Sequence, residues 1–241
     1  MKILLYDIET TPNLAYVWGK YEQNVIRFKK QWQLLSFAYK WLGEKEVSYV
    51  SATGQRSDKK LVKALHNLIT QSDISIAHYG DEFDNKKSNA RFIFYNLRPP
   101  PPRHTIDTKK VATKYFKFNG NGLDDLGEYF GFGRKHKHEG IDLWFKCMAG
   151  DKKADKQMEL YNKQDVVLLE KIYLRMRPWI TNHPRVCFKR ARSCRACGST
   201  ALRSNGYRAS ATKLYRRLVC LDCGAWNREV KSQPDIKTEV V

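Results

Sequence analysis

Apolar residues open the chain as a tight run, Lys2-Ile3-Leu4-Leu5-Tyr6, which gives way at once to Asp7-Ile8-Glu9-Thr10. A short apolar run with a polar end predicts a buried strand. Leu14 to Gly19 and Gln33 to Leu42 repeat the pattern, the second strongly apolar and aromatic, and Glu46 to Ser51 adds another strand. The first three predict a meander with an antiparallel member. From Ser57 or Asp58, either suited to capping, Leu61, Leu65, Leu68 and Ile69 recur at helical spacing. Asp73 to Ala77 predicts a short buried strand. Phe83 to Leu97 predicts a helix with Phe83, Ala90, Ile93, Phe94 and Leu97 inward, and the prolines from Pro99 to Pro102 cannot continue it.

Further on, Thr105 to Asp107 predicts a last short strand, followed by helices at 108–116, 122–130, 140–148 and 151–177. Strands early and helices alternating later predict an α/β fold, a mixed sheet flanked by helices. Pro178, Pro184 and a change of composition put a boundary near residue 185. The expected division is a main domain over 1–184, a small β module over 185–232 and a flexible tail over 233–241.

Charge then changes the picture. The net charge is +19, with 42% hydrophobic and 29% charged residues. A globular chain with that excess repels itself unless a polyanion neutralises it, so nucleic acid is the first partner to consider. Residues 185–241 carry 13 Lys and Arg against 4 Asp and Glu, leaving the other +10 spread over the first 184 residues. The small module is therefore the more basic per residue and reads as a grip. No basic amphipathic helix or lipid anchor favours a membrane surface, and no apolar run approaches the roughly 18 residues of a span. The first apolar run is too short for a signal peptide. A cytoplasmic, reduced, monomeric protein is expected.

Three acidic segments carry candidate chemistry. Side chains alternate along a strand, so Asp7 and Glu9 share a face, where their mutual repulsion is relieved by hard divalent cations. The segment from Ile76 to Asp84 ends a strand, turns at Gly80 and opens a helix, which lets Asp84 reach over the strand ends. Tyr161 and Asp165 are four apart and share a helix face, which the apolar positions Leu160, Val167, Leu168 and Ile172 place along the core. Singly, each has a plain structural reading as a turn, a cap or a surface pair. Together and in this order they resemble the DEDD 3′–5′ exonuclease superfamily, a ribonuclease H-like group that includes the proofreading exonucleases of DNA polymerases. The resemblance covers about residues 1–178. It implies that Asp7, Glu9, Asp84 and Asp165 hold two Mg²⁺ or Mn²⁺ ions, and that Tyr161 orients the attacking water, as in the tyrosine subgroup. Where the family commonly has His-Asn-Gly, this chain has His78-Tyr79-Gly80, so Tyr79 becomes a candidate for stacking on a base. Asp107, Asp124 and Asp125 read as caps, Asn119 to Gly122 as a turn, and His136 and His138 as solvated.

Cys194-x-x-Cys197-Gly198 and Cys220-x-x-Cys223-Gly224 form two near-identical knuckles. Four thiolates so paired suit one structural tetrahedral Zn²⁺. With a hairpin at Leu202–Arg208 and Leu214–Val219 and a third strand over Ala225–Val230, the module resembles a zinc ribbon. Arg190, Arg192, Arg195, Arg208, Lys213, Arg216 and Arg217 are candidates for phosphates, with Tyr207, Tyr215 and Trp226 for bases. Cys147 and Cys187 receive no role. The expected function is a 3′–5′ exonuclease, with single-stranded DNA favoured and RNA left open. The alternatives are a structure-selective endonuclease of the same fold, or a non-catalytic nucleic-acid-binding factor. No polymerase-like segment accompanies the motifs, so proofreading would need a replication or repair partner.

Overall fold

The computed structural model describes residues 1–21, 24–187 and 192–229. Residues 230–232 of the expected ribbon, including Val230 of its third strand, and the tail over 233–241 lie outside the described residues. The chain forms two compact units, Lys2–Tyr173 and the segment from Leu174 onward. The division falls earlier than the expected boundary near 185. Arg195 accounts for this, because it donates hydrogen bonds to the carbonyls of Ile180 and Thr181 and so ties the linker to the cysteine module.

The larger unit is built on β1 (Ile3–Thr10), β4 (Leu34–Trp41), β5 (Ser48–Ser51), β6 (Ile74–Ala77) and β7 (His104–Asp107), with β2 (Leu14–Tyr16) and β3 (Arg27–Lys30) apart. The main sheet runs β5-β4-β1-β6-β7. β1 is antiparallel to β4 and parallel to β6, and β7 continues the parallel half. The mixed sheet and flanking helices match the expected class. β2 differs from expectation: it leaves the meander and pairs with β3 as a separate two-stranded ribbon. The turn is forced at Pro12, which cannot donate to a ladder, and Asn13 Oδ1 then accepts the Trp32 N–H at 2.8 Å.

Six helices follow the predicted order: α1 (Lys59–Gln71), α2 (Asp84–Phe94), α3 (Thr108–Tyr115), α4 (Leu123–Tyr129), α5 (Ile141–Ala149) and α6 (Lys152–Met176). Alternation on β1 divides the core. Leu4, Tyr6 and Ile8 pack with Leu61, Val62, Leu65 and Ile69 of α1. On the other face, Leu35 of β4 packs with Leu143 and Cys147 of α5 and with Met158 and Tyr161 of α6.

The phase of α2 corrects the expectation. Ile93 and Phe94 are exposed at 76% and 64%, and Ala90 is exposed too, whereas Ser88, Arg91 and Phe92 are buried. A buried ion pair decides the rotation. Arg91 Nε and Nη2 donate to Asp58 at 2.8 and 2.5 Å, and Asp58 also accepts from the Leu34 N–H and the Tyr95 hydroxyl. Asp58 therefore stands at the start of α1 without its side chain capping it.

The smaller unit carries β8 (Leu202–Ala209), β9 (Leu214–Cys220) and β10 (Trp226–Arg228), in the order β10-β9-β8. Its small core consists of Cys194, Ala196, Cys220 and Ala225, with Leu202 against them.

Candidate active site

The parallel register sets the position of the acids. Leu5 of β1 pairs with Ile76 of β6, so β1 runs on past the end of β6 and delivers Asp7 and Glu9 beyond it. After β6 the chain turns through Tyr79 and Gly80. A Cβ at Gly80 would come within 2.5 Å of the Ala77 side chain, so this turn requires glycine. The turn brings Asp84 back over β1, where its Oδ1 accepts the Ile8 N–H at 3.1 Å. From the other side, Asn162 of α6 donates to Asp7 Oδ2 at 2.6 Å and to the Asp7 carbonyl at 3.2 Å. Asn162 is fixed in turn by Ser36, whose hydroxyl donates to it at 3.2 Å. Tyr161 and Asp165 flank Asn162 on α6, and both are buried. Leu160, expected along the core, is instead 57% exposed, because the inward face of α6 is taken by Tyr161, Asn162 and Asp165.

Lys135 completes the cluster. Its ammonium donates to Asp165 Oδ2 at 2.6 Å and to the Tyr161 oxygen at 3.2 Å. His138, from the same loop, lies edge-on to Tyr161 and to Trp144, with ring centroids 4.8 and 5.2 Å away. This corrects the expectation that His138 is solvated: two aromatic edges hold it in place.

The electrostatics are those of acids short of cations. Withdrawal from water, then Asp165, pushes Glu9 up to about 8. Burial pushes Asp84 up to about 7 against the opposing Ile8 N–H. Asp7 is raised by burial and then by Asp165, Asp84 and Glu9. Burial also raises Asp165, while Lys135 opposes it. Burial works against the charge on Lys135, but Asp165, Asp7 and Glu9 outweigh it and hold the ammonium above the usual lysine range. Burial, then Glu9, pushes the Tyr161 phenol upward, so it keeps its proton. Such mutual destabilisation of carboxylates is removed by divalent ions. Asp165 Oδ1 is buried with no hydrogen-bond partner, an oxygen left for a ligand to take. In chemistry the donors, carboxylate oxygens, are those that Mg²⁺ or Mn²⁺ prefer, and the Lys135 ammonium stands as a cation among these acids.

Tyr79 is 44% exposed, with the Lys109 ammonium 4.1 Å from its ring centroid. Its φ of 63° is left-handed, a conformation asparagine adopts more readily. Asp107 holds this turn by accepting the Tyr79 N–H at 3.0 Å, and it caps α3 through the N–H groups of Lys109 and Lys110.

The thiols form a separate centre. Among the described residues, the group drawn tightly enough to hold a metal is Cys194, Cys197, Cys220 and Cys223, whose sulfurs lie within 4.8 Å of one another. Cys194 and Cys223 are 3.7 Å apart, and Cys197 and Cys220 3.6 Å. These are not disulfide distances. They agree with the roughly 3.8 Å edge of a sulfur tetrahedron built on Zn–S bonds of about 2.3 Å. Gly198 and Gly224 take φ of 80° and 76°, which is why each knuckle ends in glycine. The expected nucleic-acid contacts divide between surfaces. Arg208, Tyr215 and Arg217 share one face of the sheet, Arg216 takes the other beside Tyr207, and Lys213 sits in the β8–β9 turn. Arg190 lies outside the described residues.

The chain belongs to the RNase H superfamily, whose family model matches residues 4–177. This is a nuclease fold, and nucleic acid is the substrate class it implies. Among solved structures the chain is similar to the family B DNA polymerase from the hyperthermophilic archaeon Pyrobaculum calidifontis, with a TM-score of 0.57 and 13% identity. That likeness, one of fold, covers 73% of this chain and 25% of the polymerase. No curated protein matches the sequence. Among the described residues no helix is long and apolar enough to cross a membrane.

Proposed function

We propose that the chain is a metal-dependent 3′–5′ exonuclease acting on nucleic acid, with single-stranded DNA as the favoured substrate. One observation carries this reading: Asp84 accepts the N–H of Ile8, which lies between Asp7 and Glu9, while α6 reaches Asp7 through Asn162 and holds Asp165 against the ammonium of Lys135. The proposed ligands of two Mg²⁺ or Mn²⁺ ions are those four acids. Such a pair of ions activates water, stabilises the leaving 3′ oxygen and neutralises the phosphate. The chain's own groups do the rest. Asn162 fixes the rotamer of Asp7, and the Ile8 N–H fixes that of Asp84. Tyr161 keeps its phenolic proton and orients the attacking water by hydrogen bonding. Lys135 adds positive charge where phosphate charge develops. The 3′–5′ direction is supported by the resemblance of the three acidic segments to proofreading exonucleases, and such a role would need a replication or repair partner. The cysteine module, holding one structural Zn²⁺, adds grip on the strand.

The test is product size from a 5′-labelled oligonucleotide with Mg²⁺. A descending ladder is expected, lost in Asp7→Ala and Asp165→Ala while strand binding persists. A few internal cuts would make the chain an endonuclease, and no product at all would leave a binding factor.

A further inference from the structure

We propose that one face of the β8–β9–β10 sheet is a binding site for an unpaired stretch of nucleic acid, with a base against Trp226 and the flanking phosphates on Arg208, Arg217 and Arg228. The inference rests on the nuclease reading for its choice of polymer, and on the sheet itself for everything else.

Register places these residues together. Arg208 pairs with Tyr215, Arg217 with Arg228, and Val219 with Trp226. Residues opposite one another in an antiparallel ladder project to the same side. The set of three arginines, Tyr215 and Trp226 is therefore one surface, and the other side carries the buried Leu218 and Cys220. That surface is concave. A cavity of about 590 Å³ is lined by Arg195, Arg208, Arg217, Trp226 and Arg228, with Thr181 and Asn227 completing its wall. This lies within the roughly 300–1,000 Å³ of pockets that take small ligands.

The charge within it is unanswered. Among the described residues, none of Arg208, Arg217 and Arg228 makes an ion pair. With Arg195, four guanidinium groups surround one cavity and repel one another, an arrangement relieved by an anion with several charges. Two of them are already oriented. Arg217 lies over the Trp226 ring at 5.5 Å, and Arg228 over Tyr215 at 4.6 Å. Stacking uses the flat face of a guanidinium and leaves in-plane N–H donors for phosphate oxygens; in Arg217 these are the Nη groups, because its Nε already donates to the Asn205 carbonyl at 3.1 Å. Trp226 remains 49% exposed, so aromatic surface is available inside a basic hollow. Stacking an unpaired base there is independent of sequence. In a duplex the base faces are hidden within the helix, so a paired strand could use only the arginines.

The experiment uses the full chain carrying Asp7→Ala, so that substrate survives. Affinities are compared for labelled oligothymidylate, an abasic strand of equal length and charge, a blunt duplex and polyglutamate. Trp226→Ala is expected to weaken oligothymidylate at least about fivefold and the abasic strand less than about twofold, while Trp226→Phe retains most of the binding. Arg228→Ala should weaken both strands alike and lower the salt slope by about one. Zinc content serves as the check on folding of each variant. Equal losses for the two strands in Trp226→Ala, or displacement of oligothymidylate by duplex or polyglutamate at equal charge, would overturn the proposal. A strand held as described but never degraded by the native chain would instead remove the nuclease reading and leave this site standing.

Discussion

The Asn162 side-chain amide donates twice to Asp7, to its Oδ2 at 2.6 Å and to its main-chain carbonyl at 3.2 Å. The contact joins α6 to the end of β1 that carries Asp7 and Glu9, and it fixes both where the Asp7 carboxylate sits and how it points. Groups that orient a metal ligand typically change affinity or activity by about 10- to 100-fold when removed. Asn162→Leu is therefore expected to raise the Mg²⁺ or Mn²⁺ concentration for half-maximal degradation by about that factor, with the circular dichroism spectrum unchanged. An unaltered metal requirement would reduce Asn162 to a packing residue.

Asp58 and Arg91 form a second long-range joint, between the start of α1 and the last turn of α2, with side chains 0% and 9% exposed. Removing one partner strands the other charge in the core. Asp58→Ala is expected to destabilise the larger unit by about 3–5 kcal/mol in urea unfolding. Removing both charges, in Asp58→Ala with Arg91→Leu, should recover most of that loss. A double variant as unstable as the single one would show that the hydrogen bonds to Leu34 and Tyr95 matter more than the charge pair.

The same pair explains where the sequence misled. Ile93 and Phe94 look like core residues by their apolarity, but Arg91 buries its charge against Asp58 and turns them outward. Periodicity carries no sign of a partner 33 residues away. The placement of Asp7 with Glu9 on a strand and of Tyr161 with Asp165 on a helix was legible for the opposite reason: both pairs follow local periods, which need no long-range partner. Lys135 is one of 44 basic residues, and its sequence neighbours give no hint that a loop folds it between acids. Asn162 had a weak signal, a polar residue between two site positions on a helix. The sequence carries no sign that β2 pairs with β3 rather than with the main sheet, since Arg27–Lys30 is a polar segment with no apolar run to mark it as a strand.

His78 gives a pH dependence with a definite sign. Burial, then Lys135 and Lys109, pushes its imidazole down to about 4 from an ordinary 6.5. The unfolded chain thus binds a proton that the folded chain refuses. The stabilising contribution is complete above pH 6.5 and is lost as pH falls toward 4, a span worth about 3 kcal/mol. His78→Gln should show a shallower fall in unfolding free energy across this window than the native chain. Parallel curves would mean that His78 takes up its proton without opposition in the fold.

Tyr79 occupies a left-handed backbone position, at φ 63°, with its ring half-exposed. Such a conformation costs a β-carbon residue about 1–2 kcal/mol. Tyr79→Asn should relieve part of this and raise the melting temperature by a few degrees. If the ring also stacks on substrate, the same variant will bind single strands more weakly, so stability and affinity should move in opposite directions. Unchanged affinity and nucleotide preference would remove the stacking role.

The cysteine unit has little core of its own: Cys194, Ala196, Cys220 and Ala225 are small, and Leu202 is its largest apolar contact. A unit of that size is expected to need the proposed metal for folding. One zinc per chain is expected by elemental analysis. Cys220→Ser, or a strong chelator, should abolish the dispersion of the ribbon's amide resonances and shift Trp226 emission to the red. The Lys2–Tyr173 unit has a separate core and should keep its own melting transition within about 2 °C, because its contacts do not involve the sulfurs. A ribbon that stays folded with its thiols alkylated and metal removed would show that three short strands suffice without a metal.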